Sequence, residues 1–408
     1  MRDDAQKIIQ AALLAAQPDT AVAKALQGHT FGKGKIVLVA IGKAAWKMAK
    51  TAGEILGTAI SGGVVITKYG HGMGPLQNLL ILEAGPPVPD ANSFAATQKA
   101  IDAVQGLSAE DTVLFLVSGG GSALFEKPLV PAQTLENITQ QLLASGADIV
   151  EMNTLRKRLS AVKGGRFAQL CLPARVFSII LSDILGDPLD MIASGPAYPD
   201  GSTCKQALEI VQKYNLQIDG ETNSLLHKET PKHLENVVSK ITGSVSQLCG
   251  AAYRQCEELG YKPVVLTDSL CCTAADAGSF LASIARYHSG SETSLAFLAG
   301  GETVVKLTGT GKGGRNQEIA LSAAAGIAGL ANTVVFSFGS DGTDGPTDAA
   351  GGYVDGGSLR RLEEKGLNLH EYLSNNDSYH ALAAIDGLIK TGPTGTNVND
   401  LSVLLLRR

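Results

Sequence analysis

The sequence predicts an α/β protein of two domains, in which a doubly wound, mainly parallel sheet precedes a smaller, mixed α/β domain. Apolar runs rich in Val, Ile and Leu alternate with helical segments, as in parallel sheets. Aromatic residues make up only 5% of the 408 residues, which favours α/β over all-β architecture. A chain of this length ordinarily forms two domains, and we expect them at 1–240 and 241–408.

The predicted elements of the first domain alternate in type along the chain. Apolar spacing predicts one or two helices within the first ~30 residues. Buried strands are expected at 36–41, 63–67, 79–82, 113–117 and 176–181. Helices are expected at 92–105 and 135–149, and the polar stretch 198–243 is expected to be helical.

Helices and strands also alternate along the second domain. Helices are predicted at 247–259, 274–287, 318–330 and 374–389. Strands are predicted at 263–267, 294–298, 333–338 and 401–406. The glycine-rich segments follow these strands, which indicates that several loops face a ligand.

Charge and cysteine content exclude several classes of function. The chain carries 34 Lys and Arg against 39 Asp and Glu, a net charge of −5, and it has no long basic run, so nucleic acid is not an expected partner. Its six cysteines form no CxxC or zinc pattern. No apolar run reaches membrane-spanning length and the N-terminus is acidic, so we expect a cytoplasmic protein without a membrane partner.

Two glycine-containing loops follow predicted strands. Strand 113–117 runs into a Ser-Gly-Gly-Gly-Ser loop, whose members are Ser118, Gly119, Gly120, Gly121 and Ser122. Successive glycine N–H groups can cradle an oxygen anion such as phosphate or carboxylate. Strand 36–41 similarly runs into glycine, Lys43 and a helix start. The alternative for the SGGGS loop is a tight strand-to-helix turn packed with small residues. For the lysines after strand 36–41 the alternative is a solvated surface side chain, which we expect for Lys47 but not for Lys43.

Aspartates follow two other strands. Asp183 and Asp187 follow strand 176–181, and Asp341 follows strand 333–338. Carboxylate oxygens suit Mg²⁺ better than Zn²⁺. Turn chemistry is the alternative, because Asp and Gly also favour turns.

Cations cluster in one further segment. Arg156, Lys163 and Arg166 lie within 153–169, and a second Gly-Gly-Arg sequence ends at Arg315. Such a run is either a solvated helix face or an anion-binding surface. Glycine cradles, aspartates and cations together are what phosphoryl transfer requires. A serine hydrolase has less support, since only seven histidines are present.

Seven segments resemble one known family in order along nearly the whole chain. They read IGKAAWKMA, LVSGGGSAL, NTLRKRLSAVKGGRFA, LSDILGDPLDMIASGPAYPD, GGETVVKLTGTGKGGRNQE, GSDGTDGPTDAAGG and TGPTGTNVNDL. The chain resembles the glycerate 2-kinases that carry a C-terminal MOFRL domain. The resemblance implies a Rossmann-like N-terminal domain, an active site in the cleft between the domains, and ATP- and Mg²⁺-dependent phosphorylation of D-glycerate to 2-phosphoglycerate.

The resemblance also implies roles for the candidate residues. Lys43 and Arg315 match the implicated lysine and arginine of the family, and we expect Asp183 to act with them in catalysis. The Ser118–Ser122 loop is expected to bind nucleotide. Substrate binding is expected from Arg156, Lys163 and Arg166, and metal binding from Asp183, Asp187 and Asp341.

Two positions depart from the family pattern. Pro86 and Arg158 stand where relatives usually or often carry histidine. Alternatives at this point are a kinase for a related hydroxy acid, an NAD(P)H-dependent hydroxypyruvate reductase, disfavoured because no GxGxxG fingerprint is present, and a silent ligand sensor. The regiochemistry, a monomeric or homodimeric state, and whether the glycine loop faces nucleotide or glycerate stay open.

Overall fold

The computed structural model describes residues 1–85 and 88–408, and its strands follow the predicted apolar runs closely. In chain order they are β1 Ile36–Ile41, β2 Ile60–Lys68, β3 Leu79–Ala84, β4 Thr112–Val117, β5 Arg175–Leu181, β6 Val237–Gly243, β7 Lys262–Leu270, β8 Leu295–Gly301, β9 Thr333–Gly339, β10 Gly351–Asp355, β11 Leu388–Ile389 and β12 Asp400–Leu406.

Helices separate most of these strands. They are α1 Arg2–Ala15, α2 Pro18–Leu26, α3 Ala45–Leu56, α4 Ala91–Ala103, α5 Gly121–Leu124, α6 Ala132–Ala144, α7 Ile149–Arg158, α8 Arg166–Leu170, α9 Cys204–Lys213, α10 Gly220–Leu226, α11 Val245–Glu258, α12 Ala274–Tyr287, α13 Arg315–Gly326, α14 Ser358–Glu364, α15 Leu369–Ser374 and α16 Ser378–Ala384. Short 3₁₀ turns occupy Gly57–Ala59 and Ile192–Ser194. Among residues 1–85 and 88–408, no helix has the length and apolar character needed to cross a membrane.

The chain forms two compact units. The N-terminal unit comprises residues 21–182 and 187–242, and the C-terminal unit comprises 1–20, 183–186 and 243–408. Residues 1–20, which were expected in the first domain, belong to the C-terminal unit. The apolar face of α1, with Ile8 fully buried, packs in the same core as α11 and the central strands β9 and β12. Apolar periodicity predicts that such a helix buries one face, but not which core receives it.

The N-terminal unit confirms the predicted doubly wound sheet. Its strand order is β3-β2-β1-β4-β5-β6, and the pairs β1–β2, β1–β4, β2–β3 and β4–β5 are parallel. Strands β1 and β4 are buried along their whole length, as expected when helices cover both faces. The strand order reverses between β1 and β4, and this is where doubly wound sheets bind ligands.

The C-terminal unit confirms the predicted mixed sheet. Its strand order is β11-β10-β9-β12-β8-β7. Only the β7–β8 pair is parallel among the described pairs, and β8–β12, β12–β9, β9–β10 and β10–β11 are antiparallel. The C-terminal strand β12 therefore lies in the middle of the sheet, which brings its first residue beside the loops that follow β8 and β9.

Three strands were not expected from the sequence. The shortest is β11, Leu388–Ile389, which lies at the end of the stretch 374–389 predicted to be helical, so that prediction was wrong there. β6, Val237–Gly243, lies in a stretch predicted to be helical, and that prediction was wrong there. Its side chains are mostly half-buried, as on a sheet edge, so the strand lacks the continuous apolar run that marks a central parallel strand. β10, Gly351–Asp355, begins with two glycines, which weaken any strand signal.

Candidate functional site

Two loops cross at the carboxyl ends of β1 and β4. The Ser118 N–H and Oγ both donate to Ile41 O, at 3.0 and 3.1 Å. In return, Lys43 N donates to Gly119 O at 2.9 Å, and Ala44 N donates to Ser118 Oγ at 3.1 Å. The two glycine loops predicted separately therefore form one hydrogen-bonded structure at the point where the strand order reverses.

Glycines permit this crossing. Gly42 has a φ of +110°, and a Cβ there would lie 2.3 Å from Ser118 O, closer than any carbon side chain can approach. Gly120 has a φ of +82°, and a Cβ built on it would lie 3.4 Å from Lys43 Cγ and 3.5 Å from Cε. The exposed Lys43 side chain thus runs along the bare backbone of the SGGGS loop.

Replacing Gly42 with Ala should disrupt the crossing. The positive φ costs an alanine about 1–3 kcal/mol, and the methyl group would displace the Ser118 backbone, so we expect the midpoint of thermal unfolding to fall together with catalytic activity. Gly53→Ala is the matched control, because Gly53 lies inside α3 with no atom within 4 Å of its Cβ position. That change should stabilise the helix by about 0.5–1 kcal/mol. Equal melting temperatures for the two variants would contradict the role given to Gly42.

A second segment of strained backbone supports the SGGGS loop. Ala193 and Ser194 have φ values of +51° and +60°, a region that non-glycine residues avoid at a cost. Ser194 Oγ donates to Ser122 Oγ at 3.2 Å and to Asn153 Oδ1 at 3.1 Å. A Cβ on Gly121 would lie 2.8 Å from Ala193 Cβ. The strained segment therefore fixes the far end of the loop.

Lys163, predicted to bind substrate, is completely buried. Its Nζ donates to Ser122 O at 2.7 Å and to Phe125 O at 3.0 Å, and it pairs with the buried Glu126 at 3.3 Å. Burial lowers the pKa of Lys163 to about 8, and the Glu126 carboxylate opposes this shift. Lys163 therefore anchors the carboxyl end of the SGGGS loop from inside the protein.

The arginines of this segment differ in burial and in the hydrogen bonds that their guanidinium groups make. Arg166 Nη1 donates to Arg158 O and Ser160 O, at 3.1 and 2.6 Å, while Arg158 is itself fully buried. Arg156 is half-buried, and its Nε finds no hydrogen-bond partner among the described residues. Arg156 also contributes to the lowered pKa of Lys163. Arg158 Nε is also buried without a partner among the described residues, but Arg156 is the less buried of these two arginines and therefore the better placed to meet a ligand.

The predicted metal ligands are distributed over both units. Asp183 belongs to the C-terminal unit and Asp187 to the N-terminal unit. Asp187 has a φ of +50°, and its Oδ1 is buried without a hydrogen-bond partner in the described part of the chain. Asp341 accepts from Thr343 N at 2.9 Å. No group of three or more His, Cys, Asp or Glu side chains that could hold a metal ion occurs within residues 1–85 and 88–408.

Arg315, the first residue of α13, is held by two carboxylates. Its Nε and Nη2 donate to the two carboxylate oxygens of Asp400, at 2.5 and 3.1 Å. Its Nη1 donates to Glu302 Oε1 at 2.6 Å. These carboxylates raise the pKa of Arg315 further above its ordinary value, although burial acts against them. The guanidinium is therefore permanently charged and fixed in orientation.

Arg315 lines a cavity of about 630 Å³ in the C-terminal unit, together with Glu318, Asp341 and Asn376. Asp344 closes one wall: its carboxylate accepts from Asn316 N at 3.2 Å and Gln317 N at 2.8 Å at the start of α13. Burial raises the pKa of Asp344, and these bonds oppose the shift.

Three polar residues around Arg315 were absent from the expected site: Glu302, Asn399 and Asp400. Asn399 Nδ2 donates to Glu302 Oε2 at 3.1 Å, so the residue that precedes Asp400 in the chain also binds the second carboxylate that holds the arginine. All three lie in the GGET and NVND segments, whose resemblance to the family was the available signal. Pro86, at one of the positions that depart from the family pattern, lies outside the described residues.

Comparisons with known proteins match both parts of the chain. Residues 4–227 match the family described as "Domain of unknown function (DUF4147)", and residues 295–400 match the MOFRL family. The D-glycerate 2-kinase of Thermotoga maritima is 48% identical, over 98% of this chain and 97% of that protein. The glycerate 2-kinase of Pyrococcus horikoshii is 40% identical, over 100% and 97%.

A solved structure agrees with these sequence matches. The crystal structure of glycerate kinase from Thermotoga maritima superposes with a TM-score of 0.95 at 48% identity, covering 99% of both chains. Matches of this extent include both sheets and every loop discussed above. The chain therefore belongs to the glycerate 2-kinase family that joins a DUF4147 domain to a C-terminal MOFRL domain.

Proposed function

We propose that the chain transfers the γ-phosphoryl group of ATP to the 2-hydroxyl of D-glycerate, giving 2-phosphoglycerate and ADP. The observation that carries this proposal is the crossing of the two loops after β1 and β4, which lays the Lys43 side chain along Gly120. A lysine beside the half-buried backbone of Gly119 and Gly120 is suited to a transferring phosphoryl group, whose charge is spread over three oxygens.

The N-terminal unit supplies the anion-binding groups in this proposal. The loop Ser118–Ser122 binds nucleotide phosphate, and the Lys43 ammonium stabilises the charge that develops during transfer. Arg156, with its unpartnered Nε, donates to the glycerate carboxylate, and Arg166 adds positive charge nearby in sequence. Lys163 acts on substrate only through the loop, because its Nζ is fully occupied inside the protein.

The C-terminal unit supplies a fixed guanidinium and an acceptor for the proton. Arg315 stabilises charge on the phosphoryl oxygens, because its orientation is set before the reaction begins. Asp183 accepts the proton of the attacking hydroxyl, since a carboxylate within reach can act as a general base. Both assignments rest on chemistry and family membership.

Mg²⁺ is proposed as the metal that accompanies ATP, with protein ligands drawn from Asp183, Asp187 and Asp341, one or two of which would bind it, since the described residues hold no group of three such side chains. The buried Oδ1 of Asp187, without a partner in the described chain, is the donor that best fits a hard cation. When bound, Mg²⁺ would neutralise phosphate charge and thereby favour attack by the hydroxyl. Kinase sites commonly hold Mg²⁺ by only one or two protein carboxylates plus phosphate oxygens.

The proposed function is tested by measuring ADP release with purified protein, ATP, Mg²⁺ and D-glycerate. L-glycerate, lactate and tartrate serve as matched acceptors. We expect turnover with D-glycerate above all others, and phosphorus NMR of the product should show phosphate at the 2-position. ADP release without any phosphorylated acid, or a 3-phosphorylated product, would contradict the proposal.

A hydroxypyruvate reductase is the second candidate. A relative from Agrobacterium vitis, 39% identical over 91% of this chain, carries a provisional name of that kind. The loop after β4 reads SGGGS, however, and lacks the spaced glycines of a dinucleotide fingerprint. Oxidation of NADH or NADPH with hydroxypyruvate is therefore the discriminating measurement, and we expect none above background.

A further inference from the structure

The backbone of Asp400 is held on both sides by strand pairing, and its carboxylate is buried. Asp400 is the first residue of β12, where it pairs with Gly301 of β8 on one side and Gly339 of β9 on the other. Its side chain is only 7% exposed, whereas Arg315 is 32% exposed. The buried member of this ion pair is therefore Asp400, which the strand holds in place, and the more exposed member is the Arg315 guanidinium.

Hydrogen bonds to two carboxylates restrict the orientation of the Arg315 guanidinium. Nε and Nη2 of Arg315 both engage Asp400, so the guanidinium plane coincides with the plane of that carboxylate. Glu302 engages Nη1 from a second direction and is 45% exposed. Nη1 and Nη2 each carry a second N–H, and these are the donors left for a ligand.

Glycine makes room for the carboxylate. A Cβ on Gly339 would lie 3.0 Å from Thr343 O, 3.3 Å from Asp341 Oδ1 and 3.4 Å from Asp400 Oδ1. A larger side chain at Gly339 would therefore crowd the acid that holds Arg315. The pairing of β12 and the small size of Gly339 therefore place the Asp400 carboxylate, and that carboxylate holds the Arg315 guanidinium.

We propose that Asp400 is a positioning residue for phosphoryl transfer: it holds the Arg315 guanidinium at a fixed angle through a bidentate ion pair, while Glu302 limits rotation from the exposed side. The inference rests on the proposed function, since it gives Arg315 its catalytic task. Asp400 itself need not contact nucleotide or glycerate. Its effect on the rate passes through Arg315.

Asp400 should also make activity sensitive to mild acid. The charged groups that act on it are Arg315 from α13 and Asp344 after β9. Glu302 after β8 pairs with the other side of Arg315, and Asp341 lies beside Gly339, which also neighbours Asp400. Burial raises the pKa of the Asp400 carboxyl to about 6, with Arg315 opposing and Asp344 adding to the shift. Protonation below that pH removes an acceptor from the bidentate pair, so kcat should fall as the pH drops through about 6.

A double-mutant cycle over Asp400→Asn, Arg315→Ala and the combined variant tests the inference. Asp400→Asn keeps the shape of the side chain and removes its charge. We expect it to lower kcat by about 100-fold, the effect of misplacing a catalytic group by about 1 Å, with a smaller change in KM and with the acid limb near pH 6 lost. In the Arg315→Ala background the same change should have almost no further effect. Asp400→Glu should recover part of the rate.

The control is Asp355→Asn. Asp355 pairs with Arg361 at 2.9 Å in the same unit, so its loss should leave kcat within about twofold. Independent, multiplying effects of Arg315→Ala and Asp400→Asn would overturn the inference. If Asp400→Asn unfolds, Asp400→Glu takes its place in the cycle, and independent, multiplying effects of Asp400→Glu and Arg315→Ala overturn the inference.

A second readout separates this inference from the proposed function. Affinity for MgATP is measured by calorimetry across the same four proteins. An unaltered enzyme that fails to phosphorylate D-glycerate refutes the proposed substrate alone, whereas the affinity cycle still reports whether Asp400 acts through Arg315. Additive losses of MgATP affinity in that cycle would then overturn the inference.

Discussion

Replacing Arg315 with Ala is expected to lower kcat by about 10³-fold or more, comparable to removing an arginine that stabilises a phosphoryl transition state. The guanidinium is held in place by Asp400 and Glu302 before substrate arrives, so its contribution costs no reorganisation during the reaction. Steady-state ADP release with D-glycerate measures the change. Because the charge acts on the transition state, the loss should appear mainly in kcat rather than in KM.

Two further variants make the expectation for Arg315 specific. Arg315→Lys keeps the positive charge but cannot form the bidentate pair with Asp400, so we expect it to recover only a small part of the rate. Arg361→Ala is the control, because Arg361 pairs with Asp355 on the surface of the same unit. A rate for Arg315→Ala within tenfold of the unaltered enzyme, in a protein that melts normally, would remove Arg315 from the catalytic machinery.

The sequence singled out Arg315 but not the residues that orient it. A glycine-rich loop before a helix is a local pattern, and it sufficed to mark the arginine. Glu302 lies 13 residues earlier and Asp400 lies 85 residues later. Their approach depends on the antiparallel insertion of β12 between β8 and β9, and apolar periodicity carries no information on strand order. The aspartates were expected to hold metal, and the one that holds the arginine was not foreseen.

The strands of the two sheets were largely predictable because a buried parallel strand leaves a continuous apolar run. β1 and β4 are the clearest cases, since both are wholly buried. Elements that are half-buried leave a weaker pattern, as β6 shows. The destination of α1 was unpredictable for a different reason: an amphipathic helix specifies that it packs, while the choice of core depends on tertiary contacts.

The basic segment 153–169 illustrates the limit of charge patterns. Arg156, Lys163 and Arg166 are neighbours in sequence and were expected to share one anion-binding surface. Gly164 and Gly165 adopt φ values of +57° and +83°, so the chain turns sharply and Lys163 points into the interior. A buried lysine is stable only with partners that compensate its lost hydration, and those partners, Glu126 and the loop carbonyls, come from distant positions.

Lys43 provides the second large effect, and the sharpest variant is Lys43→Met. Methionine can still cover Gly120 with an apolar chain, which preserves the packing along the loop, but it removes the ammonium charge. We expect kcat to fall by about 10²- to 10³-fold, the range for losing one preorganised electrostatic group. The melting temperature should change little, since Lys43 is exposed.

Lys47→Met is the matched control for Lys43. Lys47 lies one turn later, half-buried on α3, and no role in the site is predicted for it, so its replacement should change kcat by less than about threefold. The two lysines are close in sequence and contribute equally to net charge, so a general loss of positive potential would affect both variants alike. Equal losses would therefore assign the effect to long-range electrostatics. A loss confined to Lys43→Met would place the ammonium group at the reacting phosphate, beside the glycine loop whose backbone it follows.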